Sequence, residues 1–114
     1  MSLYASGIIR IISDIELKTL QSGTTVANFG GGIADGKDKN GNYIKNAIDV
    51  EVWGKSAEVI SQNLSKGDVI MVSGNVRMQE WTDKETGKNR RKHVLSVQRF
   101  EFLPRTTNEE EEPF

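Results

Sequence analysis

Apolar and polar residues alternate along most of this chain, and alternation of this kind is typical of β-strands. Strand character is predicted in five stretches, over 3–13 with a short continuation at 15–20, and over 24–34, 44–53, 69–81 and 90–102. One stretch, 55–64, has helical spacing instead, with Ser56 as the predicted N-cap. The polar stretch 35–42 contains the Asp-Gly and Asn-Gly dipeptides of a hairpin turn, and 82–89 is predicted to form a second hairpin.

The predicted order is three strands, one helix and two strands. This is the order of the OB-fold, an all-β five-stranded Greek-key barrel with one helix between strands 3 and 4, which binds oligonucleotides on one face. A generic β-sandwich would usually show more strands and no helix in mid-chain. At 114 residues, the chain has room for one modest core. We expect the barrel over 1–103, a short linker over 104–108 and an acidic tip over 109–114.

Both tryptophans of the chain fall in the polar phase of their strands. Val50 and Val52 mark the core face of one strand, and Trp53 alternates with them. Trp81 likewise shares its phase with Arg77. A bulge or a strand end could shift the phase and make each tryptophan edge packing, but the coincidence of two favours exposure. An exposed aromatic ring beside a cation suits the stacking of nucleic-acid bases.

Charge is divided unevenly along the chain. Residues 1–105 hold all 15 Lys and Arg against 12 Asp and Glu, a net charge of +3, whereas 106–114 carries four Glu and no base. Within 77–99, seven bases face three acids. Opposite charge blocks of this kind indicate a surface for a polyanion and a tail that contacts something else.

The first strand is apolar on both faces. Ile8, Ile9, Ile11 and Ile12 place branched side chains on either side of it. Such a strand is covered either by the protein's own loops or by another subunit, and in so short a chain we favour the subunit.

Catalysis finds little support in the sequence. The chain has no cysteine and a single histidine, His93, so we expect no metal, no cofactor and no enzyme activity. The glycine-rich stretch 30–36 lacks the spacing of a phosphate-binding loop, and its glycines are predicted to permit a bulge or the close approach of another backbone. Neither a signal peptide nor a membrane-length apolar run is recognised, so we expect a cytoplasmic protein without a membrane partner.

Four blocks resemble the bacterial and phage single-stranded DNA-binding protein family. They are "GTTVANF" (23–29), "VEVWGKSAEVISQNLSKGD" (50–68), "VSGNVRMQEWTD" (72–83) and the terminal "EEEEPF". The resemblance implies an OB-fold that wraps single-stranded DNA without reading its sequence. It implies a homo-oligomer, with a homotetramer favoured and a dimer as the alternative. Trp53 and Trp81 match stacking aromatics, Lys55 and Arg77 match phosphate-contacting bases, and Lys39 matches a basic hairpin position.

The chain also departs from this family. Two further aromatic platforms of the family would fall near Gly36 and Ala47, and Tyr43 is a candidate substitute for one of them. A basic residue of the third strand corresponds to Asp49, and the usual long glycine-rich linker is missing. We therefore expect weaker binding than in a typical member.

We expect the DNA strand to cross the barrel between the 35–43 and 82–90 hairpins. The predicted DNA-binding residues are Trp53, Trp81, Arg77, Lys55, Lys39, Tyr43, Lys84, Lys88, Arg90 and Arg91. The tip is either a solvated acidic tail or a docking peptide for proteins of replication, recombination and repair, as the resemblance implies. The predicted partner-binding residues are Glu109, Glu110, Glu111, Glu112, Pro113 and Phe114. A primosome-type scaffold or an RNA-binding module on the same fold is the alternative function.

Overall fold

A computed structural model describes residues 2–103, with the side chains of residues 34, 35, 44 and 45 excepted. The predicted linker 104–108 and tip 109–114 lie outside the described residues. The elements in chain order are β1 (Leu3–Ile11), β2 (Glu16–Thr19), β3 (Thr25–Lys37), β4 (Tyr43–Trp53), α1 (Lys55–Asn63), β5 (Val69–Thr82) and β6 (Asn89–Phe102).

Five of the strands close into a ring. β1 pairs with β5, β5 with β6, β4 with β3, and β3 again with β1, all antiparallel, whereas β6 and β4 are parallel. β2 pairs with the start of β3 outside this ring, so the continuation predicted at 15–20 is a separate short strand. The helix lies between the third and fourth strands of the ring. The predicted OB-fold is confirmed.

The core lies inside this ring and is built from branched aliphatic side chains. Its largest fully buried side chains are Ile11, Val50, Val52, Ile60, Ile70 and Val72. They come from β1, β4, β5 and one face of α1, and the strand members follow the predicted alternation. On α1, Ala57 and Ile60 are buried, and Leu64, directly after the helix, packs against the core.

Glycine allows β1 to close the ring against β3. Arg10 and Ile11 pair with Gly32 and Gly31. A Cβ atom at Gly31 would lie 2.9 Å from Cδ1 of Ile9, which is tighter than such contacts normally are. The register of β3 and β4 also shifts between residues 34 and 37. The register shift agrees with the predicted bulge, and the close contact at Gly31 is with side chains of the core.

The predicted N-cap of the helix is wrong. The cap is Gly54, with φ of 72°, and no side chain caps the helix. The chain must turn into α1 directly after Trp53, and this left-handed conformation favours glycine. The amide of Gly54 donates to the carbonyl of Thr25 at 2.7 Å, which ties the turn to β3. Ser56 consequently lies inside the first turn. Among the described residues, no helix is long and apolar enough to cross a membrane.

Candidate nucleic-acid interface

The polar phases of β4, β5 and β6 form one continuous surface, because residues paired in register point to the same side of a sheet. Asp49 pairs with Val94, which pairs in turn with Arg77. We call this surface the binding face. Its members are Asp49, Glu51 and Trp53 on β4, Arg90, Lys92, Val94 and Ser96 on β6, and Asn75, Arg77, Gln79 and Trp81 on β5.

Both tryptophans lie on the binding face and are half-exposed. Trp53 is 40% exposed at the end of β4, and Trp81 is 46% exposed near the end of β5. Neither belongs to the buried core. The prediction that the polar phase places them outside the core is confirmed.

Trp53 is fixed by a buried carboxylate. Its indole Nε1 donates to Glu51 Oε2 at 2.7 Å, and Arg77 donates to the same carboxylate from Nε at 3.1 Å and from Nη2 at 2.5 Å. Glu51 is 4% exposed, and among the described residues it is the one charged residue that is buried. Arg77 reaches it diagonally across β6. We call Glu51, Arg77 and Trp53 the Glu51 cluster.

Hydrogen bonding decides the charge state of Glu51. Burial is the largest single influence and opposes ionisation. The hydrogen bonds from Arg77, Trp53 and Ser96, with the positive charge of Arg77, together outweigh it and lower the pKa of Glu51 below its usual value of 4.5. The hydrogen bond to Glu51 also raises the pKa of Arg77, against a smaller opposing effect of burial. The cluster is therefore an ion pair at neutral pH.

Trp81 has a second, more open arrangement around it. Lys92 places Nζ 5.8 Å from the centre of the indole ring, within the range of a cation–π interaction. The same Nζ lies 3.3 Å from Oδ2 of Asp49, and both partners of this ion pair are about half exposed. Each tryptophan is thus linked to a carboxylate of β4, Trp53 directly and Trp81 through a lysine.

The two predicted hairpins join β3 to β4 and β5 to β6, so both extend from strands that carry the binding face. In the 35–43 hairpin, Lys39 is exposed and Tyr43 is 38% exposed, with Nζ of Lys37 at 5.1 Å from its ring centre. In the other hairpin, Lys84 and Lys88 are exposed. Both turns are closed by aspartate side chains that accept backbone N–H groups, so the hairpin tips have defined shapes.

The two arginines of the 82–90 hairpin region have different surroundings. Arg90 pairs with Trp81 in register and lies on the binding face, where Nε is 3.5 Å from Oδ2 of Asp83. Arg91 pairs with Glu80 and therefore points to the opposite side of β6 from Trp81. The structure brings the other predicted residues to the face or to its hairpins, with Lys55 exposed as the first residue of α1.

A groove of about 600 Å³ runs over part of the binding face. The connection 13–16 and Lys18 of β2 line one part of it, and Gln79 and Lys92 line another, together with Val94 of the face. Lys18 shares the side of Trp53, because Val26 pairs with both residues.

Three residues of this site were missed in the sequence. Glu51 shares the phase of Trp53, but its burial depends on Arg77, which lies 26 residues further along the chain. Lys92 belongs to the basic run beside Trp81, and its phase becomes evident only with the register of β5 and β6. Lys18 carries no local signal. Among the described residues, no group of three or more His, Cys, Asp or Glu could hold a metal ion.

Lysines supply the unpaired positive charge around the site. Of the cations predicted to contact phosphates, Arg77 and Arg90 take part in ion pairs. Within the described part of the chain, the lysines around the face with neither an ion pair nor a contact to an aromatic ring are Lys18, Lys39, Lys55, Lys84 and Lys88.

Comparison with known proteins matches this chain to several relatives. A single-stranded DNA-binding protein of Helicobacter hepaticus is 31% identical over 106 residues, which are 89% of this chain and 61% of that protein. Single-stranded DNA-binding protein 1 of Synechocystis is 31% identical over 93 residues, 79% of this chain and 74% of that protein. The relative from Wolinella succinogenes is 33% identical over 95 residues and is covered over 57% of its length. The chain therefore spans only part of each of these relatives.

The family comparison covers most of the chain. The model of the single-strand binding protein family matches residues 8–103, which include β2 to β6, α1 and the whole binding face. This range also contains the two tryptophans and the Glu51 cluster. The chain belongs to the single-strand binding protein family.

Proposed function

We propose that this protein binds single-stranded DNA without sequence specificity and coats it in the cytoplasm. The observation that carries the proposal is the exposure of both tryptophans on one polar face of the barrel. Every base has a π-face, so stacking on Trp53 and Trp81 holds a strand without selecting its sequence. A duplex keeps its bases stacked inside and offers neither ring a partner.

The phosphates are held mainly by lysines at the edges of the face. Lys39 lies on one hairpin, Lys84 and Lys88 on the other, and Lys55 follows Trp53 and Gly54 at the start of α1. Tyr43 adds a third aromatic surface beside Lys37. Arg90 contributes less to phosphate binding than a free cation because Asp83 lies beside it. Arg91 points to the opposite side of β6, so it reaches the DNA only around the edge of the hairpin.

The number of unpaired lysines sets the expected salt dependence. Each phosphate neutralised on a single strand contributes about −0.7 to the slope of log K against log salt concentration. Five unpaired lysines around the face therefore predict a slope of about −3.5. If Arg77 and Arg90 also acted as free cations, the slope would be about −4.9.

Titration with oligo-dT tests this proposal. The fluorescence of Trp53 and Trp81 should be quenched by oligo-dT and change little with duplex DNA of the same length. The affinity should fall with salt at the slope given above. Absence of quenching by any single strand would refute the binding face. Oligo-rU is included in the titration, because stacking and phosphate contacts discriminate little against RNA.

We further propose that residues 109–114 recruit proteins of replication, recombination and repair. An acidic run that ends in Pro113 and Phe114 offers charge for a basic rim and an aromatic ring for an apolar pocket. Deletion of 109–114 should abolish capture of such proteins by DNA-bound protein and modestly tighten oligo-dT binding at low salt. Capture that survives the deletion would contradict this role.

We also propose that β1 packs against a second copy of the chain. Ile8 is 59% exposed on the outer side of β1, and Met71 of β5 is its partner in register. An exposed branched side chain beside a second apolar residue gains free energy when another subunit covers it. A homotetramer is the expected assembly.

A further inference from the structure

We propose that Glu51 is a positioning residue that converts Arg77 and Trp53 into a stacking platform without net charge. The proposal rests on the single-stranded DNA-binding function proposed above. Its consequence is specific: Arg77 contacts bases rather than neutralising a phosphate, and Glu51 is the reason.

The carboxylate of Glu51 is the centre of the cluster. One oxygen accepts from the indole of Trp53 and from Nε of Arg77, and the other accepts from Nη2 of Arg77. Two parallel N–H···O bonds hold the guanidinium plane in one orientation. The indole hydrogen bond holds the ring of Trp53 beside it, so a base that arrives meets two flat groups already in place.

Burial makes this pair hard to open. The side chain of Glu51 is 6% exposed, whereas that of Arg77 is 44% exposed. A phosphate that drew the guanidinium away would leave a carboxylate buried without its counter-charge, which is strongly unfavourable. The guanidinium therefore stays on Glu51, and its exposed part is available for stacking, which arginine shares with aromatic rings.

A second ion pair of the face, between Asp49 and Lys92, shows the contrast. Asp49 and Lys92 are 52% and 43% exposed, so water can solvate either partner when the pair opens. A phosphate can replace Asp49 on Lys92 at little cost. The two pairs on the same surface thus have different roles: one is exchangeable, and the other is fixed.

Glu51→Gln separates the two functions of the carboxylate. Glutamine keeps the side-chain size and an oxygen that accepts from Trp53, but it removes the negative charge. Arg77 then carries an uncompensated charge at the DNA surface. The slope of log K against log salt concentration for oligo-dT binding should become steeper by about 0.7, from about −3.5 to about −4.2. The tryptophan quenching should be retained. Glu58→Gln removes the same charge from the exposed first turn of α1 and should leave the slope unchanged.

Arg77→Gln is the second variant for the salt titration, and its result can be interpreted even if the Glu51→Gln protein does not fold. Loss of a base-stacking guanidinium should weaken oligo-dT binding while the salt slope stays at the wild-type value. A slope reduced by about 0.7 in this variant would show that Arg77 neutralises a phosphate and would overturn the proposal. An unchanged slope in a folded Glu51→Gln protein would overturn it as well. Failure of the proposed function is distinct, because the wild-type protein would then not bind oligo-dT at all.

Discussion

The salt dependence of a stacking residue differs from that of a phosphate contact, and Trp81→Ala tests this difference. Trp81 is 46% exposed and Lys92 lies against its ring, so about one face remains for one base. One stacked base is worth about 1–3 kcal/mol, which corresponds to a loss of about 5- to 140-fold in affinity. Stacking releases no counterions, so this loss should be the same at low and high salt.

Lys84→Ala is the variant for comparison. One phosphate contact with a slope of about 0.7 is worth about fivefold in affinity at 0.1 M salt and less than about twofold at 0.5 M salt. The two variants can therefore look alike at 0.1 M salt and must separate at 0.5 M. Binding is measured by fluorescence anisotropy of a labelled oligo-dT, since tryptophan quenching is itself altered in the variant.

Met78→Ala is the matched control for Trp81→Ala. Met78 is 47% exposed on the same strand, but it alternates with Trp81 and lies on the other side of β5. Its truncation should leave affinity unchanged at both salt concentrations. A loss for Trp81→Ala that shrinks with salt as the Lys84→Ala loss does would refute the stacking role, and so would an equal loss for Met78→Ala.

Three further predictions concern stability and assembly. Gly74→Ala should destabilise the fold by about 3 kcal/mol in urea unfolding, because the added Cβ would overlap the Ser96 carbonyl oxygen and lie 2.9 Å from Cα of Val97. The control is Gly7→Ala, which should be near neutral because no atom lies within 4 Å of the added Cβ. The pKa of Glu51 is lowered in the folded protein, so its carboxylate stabilises the fold above pH 4.5, and this contribution is lost as the pH falls below that value. The wild-type protein should therefore lose more unfolding free energy in acid than the Glu51→Gln protein. Equal losses in the two proteins would contradict the ion pair. Ile8→Asp should reduce the molar mass measured by light scattering to that of a smaller assembly, whereas Leu17→Asp, at 47% exposure on β2, should not; an unchanged mass for Ile8→Asp would exclude β1 as the contact.

Local patterns in the sequence predict the barrel and its hairpins well. Alternation identifies the core members Val50 and Val52, and the dipeptides of 35–42 mark one turn between strands. The parallel pairing of β4 and β6 and the closure of β1 on β3 involve residues far apart in sequence. No local signal fixes those registers, so they required the structure. The helix cap was predicted wrongly because Ser56 has the right chemistry but lies inside the turn that Gly54 makes.

The position of the binding face was predicted from the sequence, but the pairing of its charged side chains was not. Alternation places Trp53 and Trp81 on the polar side, but it cannot distinguish solvent from a polar pocket. Glu51 has the phase of an exposed residue, and it is buried because Trp53 and Arg77 satisfy its oxygens. Arg91 shows the converse limit. It belongs to the same basic run as Arg90, yet one position in register places it on the other side of the strand.

Under the proposed function, the distribution of charge accounts for DNA binding without the two additional aromatic platforms expected near residues 36 and 47. Two outward cations on the strands are balanced by carboxylates of β4, Arg77 by Glu51 and Lys92 by Asp49, and Arg90 lies beside Asp83 of the hairpin. The hairpin lysines have no such partner among the described residues. Under the proposed function, we therefore expect phosphates beside the hairpin lysines and bases on the nearly neutral centre of the face. We expect a strand held in this way to depend on few stacking contacts, so that each tryptophan contributes a larger share of the affinity.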